Sequence, residues 1–418
     1  KDIFCRYKTL TGKRVMRKAG WDTHGLPVEL GVEKELGITK EDIGKTISVE
    51  EYNQACRKAV MKYTDVWNRL TQEMGYWVNM DDPYVTYDNK YIESVWWQLG
   101  QIYDKGLLYK GYTIQPYSPK AGTGLSTHEL NQPGTYRDVK DTTIVAQFEV
   151  ENSSLAQVEA FVDAGKSLNK CYFVAWTTTP WTLPSNTALT VGPKIKYALV
   201  NTINKYTNEP ITVILAEALL SKHFGGKKDP DYEVVGTAMG SDLVGMKYLQ
   251  LLPWAKPMED LEKAFVVIPG DFVTTEDGTG IVHTAPTFGA DDAKVAKDAG
   301  VPPMLVADAN GQGVPLVDLQ GRFIEGLGEW SGKYVKNEYY NDDEVPERSV
   351  DVEIAIHLKE RGLAFNVEKY EHSYPHCWRT DRPILYYPLD SWFIKVSAIK
   401  DRMVELNNTI TWKPASTG

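Results

Sequence analysis

From Ser48 onward, apolar residues recur at three- and four-residue spacing: Tyr52, Cys56, Val60, Tyr63, Trp67, Leu70 and Met74. That spacing lines one face of a helix. It predicts one long amphipathic helix, with Ser48 and Glu51 as a capping box at its start. A second helix is predicted from near Asp88 to Gly106, carrying Ile92, Val95, Trp96, Leu99, Ile102 and Tyr103. Its aromatic stripe reads as core. Between about 140 and 345 the pattern changes to short apolar runs separated by Gly and Pro clusters. Strands are predicted at 143–150, 172–176, 197–200, 211–215, 266–268 and 280–283, with short helices near 155–162 and 216–223. This is the pattern of a compact β-rich domain inserted into a larger α/β chain. Past 345, a helix over 352–358 closing at Gly362 and the segment 370–393 lead back to the first part. The expected domains are therefore 1–139, 140–345 and 346–418.

Length and composition narrow the class. At 418 residues the chain can hold two to three domains with proper cores. A net charge of −10 and a pI near 5.4 argue against non-specific nucleic-acid binding over the whole surface. Lys8, Lys13, Arg14, Arg17 and Lys18 form a local basic run, read as a solvated segment. The run 225–230 reads as an exposed loop tip with its lysines in water. Cys5, Cys56, Cys171 and Cys377 are widely spaced, as suits a reducing cytoplasm. No apolar run approaches the ~20 residues a membrane helix needs, and no signal peptide is visible. The chain starts at Lys1 and reads as an internal piece of something longer. Ile43-Gly44-Lys45-Thr46 imitates a phosphate-binding loop but lacks the glycine required at position 39, which is Thr.

Two stretches carry candidate chemistry. Trp176-Thr-Thr-Thr-Pro-Trp-Thr-Leu-Pro-Ser-Asn186 follows the buried-strand pattern Cys171 to Val174. Thr177, Thr178 and Thr179 place three small hydroxyls in a row, and Pro180 and Pro184 prevent the segment from continuing as strand or helix. Trp176 and Trp181 supply rigid walls. A Thr-rich edge strand with a Pro-bounded turn is the plain alternative. The second stretch, Asp277-Gly-Thr-Gly-Ile-Val-His-Thr-Ala-Pro-Thr-Phe-Gly-Ala-Asp-Asp292, turns at Gly278 and Gly280 into a short strand ending at His283. Asp291 and Asp292 then open a helix, where its dipole favours carboxylates. Together the two stretches read as an anion set to hold an ammonium group beside a wall of hydroxyls, or else as a strand-end His and a helix cap.

Both stretches resemble the editing site of the isoleucyl branch of the class I aminoacyl-tRNA synthetases. In the valyl and leucyl branches the first segment runs Thr-Thr-Arg-Pro-Glu-Thr, whereas Thr178-Thr-Pro-Trp-Thr182 follows the isoleucyl pattern. Gly20-Trp-Asp-Thr-His-Gly-Leu-Pro-Val-Glu29, Cys377-Trp-Arg379 and Ser391-Trp-Phe393 match the same branch, so the resemblance spans nearly the whole chain.

The resemblance implies a partial Rossmann-type catalytic fold with helical connective segments, and a β-barrel-like editing domain inserted in it. It implies a ligase that joins isoleucine to tRNA(Ile) using ATP and Mg2+, and a second site, on this chain, that hydrolyses valyl-tRNA(Ile). Thr177, Thr178, Thr179 and Asp292 would be the catalytic set, with Asp292 on the substrate ammonium. Trp181, Asn186 and His283 would shape the pocket, and His283 would act as the steric gate. Asp22 and Trp392 would belong to the amino-acid pocket of the synthetic site. The His-x-Gly-His and Lys-Met-Ser-Lys-Ser signatures for ATP do not occur in this chain. Many isoleucyl enzymes bind structural zinc through two Cys-x-x-Cys pairs, but Ser118, Ala121 and Tyr374 stand at three of the four positions, leaving Cys377 alone. Four ligands are needed, so no zinc is expected. Expected partners are the tRNA(Ile) acceptor end, valine, isoleucine and their adenylates, with no membrane and a monomeric state. The competing readings are an acceptor-end binding module without hydrolysis, and the equivalent piece of a valyl enzyme, against which Trp181 stands where that branch has Glu.

Overall fold

In a computed structural model, residues 1–226 and 231–417 are described. Of the expected loop tip at 225–230, residues 227–230 lie outside them. The chain divides into two compact units, Lys1–Gly111 with Asp390–Gly418, and Tyr112–Leu389.

In the first unit, the strands β1 (Lys18–Trp21) and β2 (Asn79–Val85) pair in parallel. Parallel pairing requires a long crossover, and helices supply it, including α1 (Val49–Val60) and α2 (Thr64–Glu73). The capping box forms as the sequence predicts: Glu51 N–H donates to Ser48 Oγ at 3.2 Å and Ser48 N–H donates to Glu51 at 3.1 Å. The single long helix expected from Ser48 to Met74 is instead two. The Thr64 hydroxyl donates to the Met61 carbonyl at 3.0 Å and so competes with the helical ladder at the break. Helix α3 (Asn89–Asp104) also occurs where expected, but its aromatic stripe is not core. Trp96 is 70% exposed, Trp97 68% and Tyr103 62%, and no residue of α3 is buried. The period was legible; what lies opposite the face was not.

The second unit is mixed α/β, built on a nine-stranded sheet. Its strands are β3 (Tyr136–Glu149), β4 (Lys170–Thr177), β5 (Ala188–Val191), β6 (Lys196–Ile203), β7 (Pro210–Ala216), β8 (Glu233–Met239), β9 (Val266–Pro269), β10 (Ile281–Thr284) and β11 (Ala364–Pro375). The neighbours run β8-β6-β7-β4-β10-β5-β9, with β3 joining β4 to β11. All six predicted strands and the helix α5 (Val350–Glu360) occur near their expected places, as does α4 (Ala290–Asp298). The unit also takes in residues on both sides of 140–345, because β11 zips antiparallel along β3 from Ala364↔Ala146 to Pro375↔Tyr136.

Strand β4 is where the sheet forks. One edge pairs antiparallel with β3 over Tyr172–Thr177. The other edge is shared: Lys170–Phe173 pair with β7, and Trp176 pairs with Val282 of β10. Buried on both faces, β4 reads as a continuous apolar run, and Phe173, Val174 and Ala175 are fully buried. The turn into β10 needs its glycines. Gly278 and Gly280 have φ of +70° and +75°, and a Cβ on Gly280 would lie 2.4 Å from the Ala216 methyl. Gly280→Ala is therefore expected to destabilise the protein by at least ~2 kcal/mol, from left-handed strain and overpacking together. A denaturant titration comparing the midpoints checks it.

Candidate functional site

The threonine segment leaves β4 and folds at once into a 3-10 helix, Pro180–Ser185, whose six residues are all buried. Pro180 sits at its first position, where a missing N–H costs nothing. The Thr177 hydroxyl accepts the Thr179 N–H at 3.1 Å, a local turn that threonine makes readily. Thr177 and Thr179 hydroxyls lie 3.3 Å apart, and Thr179 and Thr182 hydroxyls 3.5 Å apart. Thr178 and Thr179 are partly exposed. The result is a small arc of hydroxyls at the mouth of β4.

Strand β10 delivers His283 against that arc. Its ring Nε2 is 3.0 Å from the Thr182 hydroxyl, and Nδ1 is 2.9 Å from the Asn186 amide nitrogen. The Asn186 amide orientation follows from its other partners. Its nitrogen faces the Ala188 carbonyl at 2.8 Å, and its oxygen accepts the Tyr248 hydroxyl at 2.6 Å. Asn186 thus donates to Nδ1, which assigns the proton to Nε2. The Thr182 hydroxyl accepts from Nε2 and donates to the Thr179 carbonyl at 2.8 Å. His283 is buried, and burial pushes its pKa down to about 3, so the ring is neutral.

Two residues past His283, the Ala285 N–H donates to Asp292 Oδ2 at 2.8 Å. Asp292 lies in the first turn of α4, which Gly289 caps. A Cβ on Gly289 would stand 2.8 Å from the Asp292 carboxyl carbon, so glycine is needed there for the side chain to fold back. Burial pushes the Asp292 carboxyl up to about 6, against the pull of the Ala285 N–H, and neighbouring Asp291 adds to the rise.

The structure thus brings the two stretches together. The hydroxyl arc, His283 and Asn186 share one hydrogen-bond network, and Asp292 is held separately by the Ala285 backbone, two residues beyond His283. Trp181 is 3% exposed and packs edge-on against Phe288 at 5.1 Å, on the loop between His283 and Asp292. Trp176 is half-buried and meets Tyr370 edge-on at 5.2 Å. Asp22 and Trp392 belong to the first unit, and both are exposed. At the positions compared with zinc ligands, Ser118 Oγ accepts the Ala121 N–H at 3.2 Å and the Tyr374 hydroxyl donates to the Ile384 carbonyl at 3.0 Å. Among the described residues no group of three or more His, Cys, Asp or Glu side chains could hold a metal. No helix among them is long and apolar enough to cross a membrane.

Sequence reasoning missed Thr182, Gly289, Tyr248 and Asp351. Asp351 Oδ1 accepts the Trp181 N–H at 2.9 Å from 170 residues away. Only an acidic residue after Ser349 at a helix start pointed to it, and that reads as a cap.

The family described as tRNA synthetases class I (I, L, M and V) matches residues 1–418. Among curated relatives, the isoleucine--tRNA ligase of Bacteroides fragilis strain YCH46 is 58% identical, over 100% of this chain and 38% of its own length. That of Cytophaga hutchinsonii is 59% identical, over 100% and 38%, and that of Clostridium tetani 43%, over 99% and 35%. The chain thus spans under two-fifths of the length of these relatives. A crystal structure described as GlLeuRS-CP1 aligns with a TM-score of 0.39 at 16% identity, over 55% of this chain and 99% of its own.

The raised Asp292 carboxyl has a stability consequence of definite sign. Between about pH 4 and 6 the folded chain holds a proton that the unfolded chain has released. The ionisation penalty is therefore absent at low pH and complete above pH 6. Asp292→Asn, which keeps an acceptor for Ala285, should gain ~1–3 kcal/mol over the unmodified protein at pH 7.5 and nothing at pH 4. Thermal melts of both proteins across that range check it.

Proposed function

This chain belongs to the class I tRNA synthetases (I, L, M and V), and from that premise we propose that it forms the proofreading portion of an isoleucine-tRNA ligase. In this reading the whole enzyme attaches isoleucine to tRNA(Ile) in the cytoplasm, and the second unit hydrolyses valyl-tRNA(Ile) made in error. The identity of 58% to isoleucine-tRNA ligases supports the branch, as does Trp181 in the segment where valyl enzymes carry Glu. One methylene is worth only ~1–3 kcal/mol in a hydrophobic pocket, and isoleucyl enzymes are themselves the standard illustration of that limit. A second site that admits valine and refuses isoleucine supplies the missing discrimination.

The observation that carries the proposal is the Asp292 carboxylate, held by the Ala285 N–H two residues beyond His283, whose own ring meets the Thr182 hydroxyl. The α-ammonium of the valyl ester pairs with Asp292. That contact fixes the ester's orientation and offsets the cost of keeping a half-buried carboxylate ionised. Thr177, Thr178 and Thr179 bind the ester carbonyl, the terminal ribose and the attacking water. Both nitrogens of His283 are already engaged, so it acts as a wall that limits side-chain size, with Asn186 and Trp181 holding the wall in place.

Water adds to the ester carbonyl carbon, assisted by the free hydroxyl of the terminal adenosine. The bond from that carbon to the ribose oxygen breaks, the ribose oxygen takes one of the water's protons, the other passes to solvent, and valine leaves as its carboxylate. A valyl-adenylate would give valine and AMP by water addition to the same carbonyl carbon, with the bond to the phosphate oxygen breaking instead. In the whole enzyme, isoleucine activation uses ATP and Mg2+. This chain carries neither ATP signature, so no step through ATP is assigned to its residues. Asp22 and Trp392 are assigned to the amino-acid pocket of that synthetic site.

Asp292→Ala is expected to lower kcat/KM for valyl-tRNA(Ile) hydrolysis by about 100-fold, since losing one partner of a desolvated charge pair costs ~2–5 kcal/mol. Release of labelled valine measures it. Hydrolysis unchanged by the substitution, or absent from the unmodified protein, overturns the reading.

A further inference from the structure

Beneath the hydroxyl arc lies a group of buried charges that the hydrolysis does not use. The 3-10 helix Pro180–Ser185 begins with backbone donors that have no partner within it. Pro180 has no N–H, and the Thr179 side chain makes no cap bond. The first donor is the Trp181 N–H, and its partner comes from elsewhere: Asp351 Oδ1, at 2.9 Å, in the first turn of α5. The other carboxylate oxygen lies 3.7 Å from the Lys336 ammonium, and both side chains are about 7% exposed or less. Lys336 also binds Asp141 Oδ2 on β3 at 3.0 Å and sits 5.0 Å from the ring centre of Tyr374 on β11. His372, also on β11, approaches Asp141 at 3.3 Å and closes the group on its outer side. Burial pulls the Lys336 ammonium toward neutrality, but Asp351, Tyr374 and Asp141 more than reverse that, so it stays charged.

Buried ion pairs are a poor device for stability, since apolar residues of equal volume serve as well or better. This one is placed where it ties the backbone of the threonine segment to β3, β11 and α5 together. Resting on the proofreading reading, we infer that Asp351 and Lys336 are positioning residues of the hydrolytic site. Asp351 clamps the Trp181 N–H, Lys336 keeps that carboxylate in place, and the clamp sets where the Thr177 to Thr182 hydroxyls point.

Two double variants in the full-length protein test this. Lys336→Met with Asp351→Asn removes both charges but keeps an oxygen for the Trp181 N–H. Lys336→Met with Asp351→Leu removes the charges and the acceptor while filling the same space. The readouts are hydrogen exchange of the segment 176–186, and kcat and KM for valyl-tRNA(Ile) hydrolysis. The asparagine pair should exchange and turn over within about threefold of the unmodified protein. The leucine pair should exchange at least ~10-fold faster and lose at least ~10-fold in kcat, with KM within about twofold. If the leucine pair does not fold, Lys336→Met with Asp351→Ala takes its place. Equal exchange and equal kcat in the two pairs overturn the inference, because packing alone would then account for the group. If the unmodified protein releases no valine, the proofreading reading fails and exchange alone decides: faster exchange in the leucine pair supports the clamp, and unchanged exchange refutes it.

Discussion

A four-residue strand, Ile281–Thr284, holds the site together. Every residue of it pairs with β5, and Val282 also pairs with Trp176 at the end of β4. It therefore fastens a loop near residue 290 to a segment near residue 180. Strand side chains alternate, so a slip of one residue would turn His283 to the opposite face and carry Ala285 with it. The pairing on both flanks forbids that slip. Ile281 and Thr284 are buried, and the Thr284 hydroxyl meets that of Thr190 across β5 at 2.6 Å. The positions of His283 and Asp292 are thus properties of the sheet rather than of a free loop.

Burial acts on the two titratable groups of the site in opposite ways, and each ends in a different condition. His283 is pushed toward the neutral ring, and Thr182 and Asn186 give it two partners that suit that ring. It is a finished piece of structure. Asp292 is pushed toward the neutral acid, yet its carboxyl receives only one backbone N–H among the described residues. Asp292, partly exposed, is thus left less fully compensated than the neutral ring of His283.

Much of the second unit was legible because β-strand burial writes itself as short apolar runs. Cys171 to Val174 and Val266 to Ile268 read as strands and are strands. The turn glycines at 278 and 280 were legible for the same reason, since few other residues adopt a positive φ. The threonine row and the acidic helix start were visible as motifs. That they meet was an expectation of the resemblance rather than of any local pattern, because it depends on parallel pairing between β4 and β10, and no local pattern encodes a partner that far along the chain. Asp351 is the clearest miss: its hydrogen bond spans 170 residues, and its local context is an ordinary helix start. The opposite error occurred in the first unit. Periodicity placed helix over 48–74, though as one helix where there are two, and located α3, but the inference from an apolar face to burial fails there: Trp67 is 57% exposed and Trp96 70%. A stripe records a preference for contact, and whether contact is made is decided by the rest of the chain.

The long ribbon between β3 and β11 also has a bearing on how the protein comes into being. Residues 136–146 find their partners only at 364–375, more than two hundred positions later. A ribosome adds ~5–20 residues per second, so β3 waits ten seconds or more with one edge bare. Closing so wide a loop is slow in its own right, and an unpaired strand invites the wrong neighbour meanwhile. β3 opens with Tyr136-Arg-Asp-Val-Lys-Asp141, four charged residues in six, and charges of that kind discourage association between nascent chains until the late strand arrives.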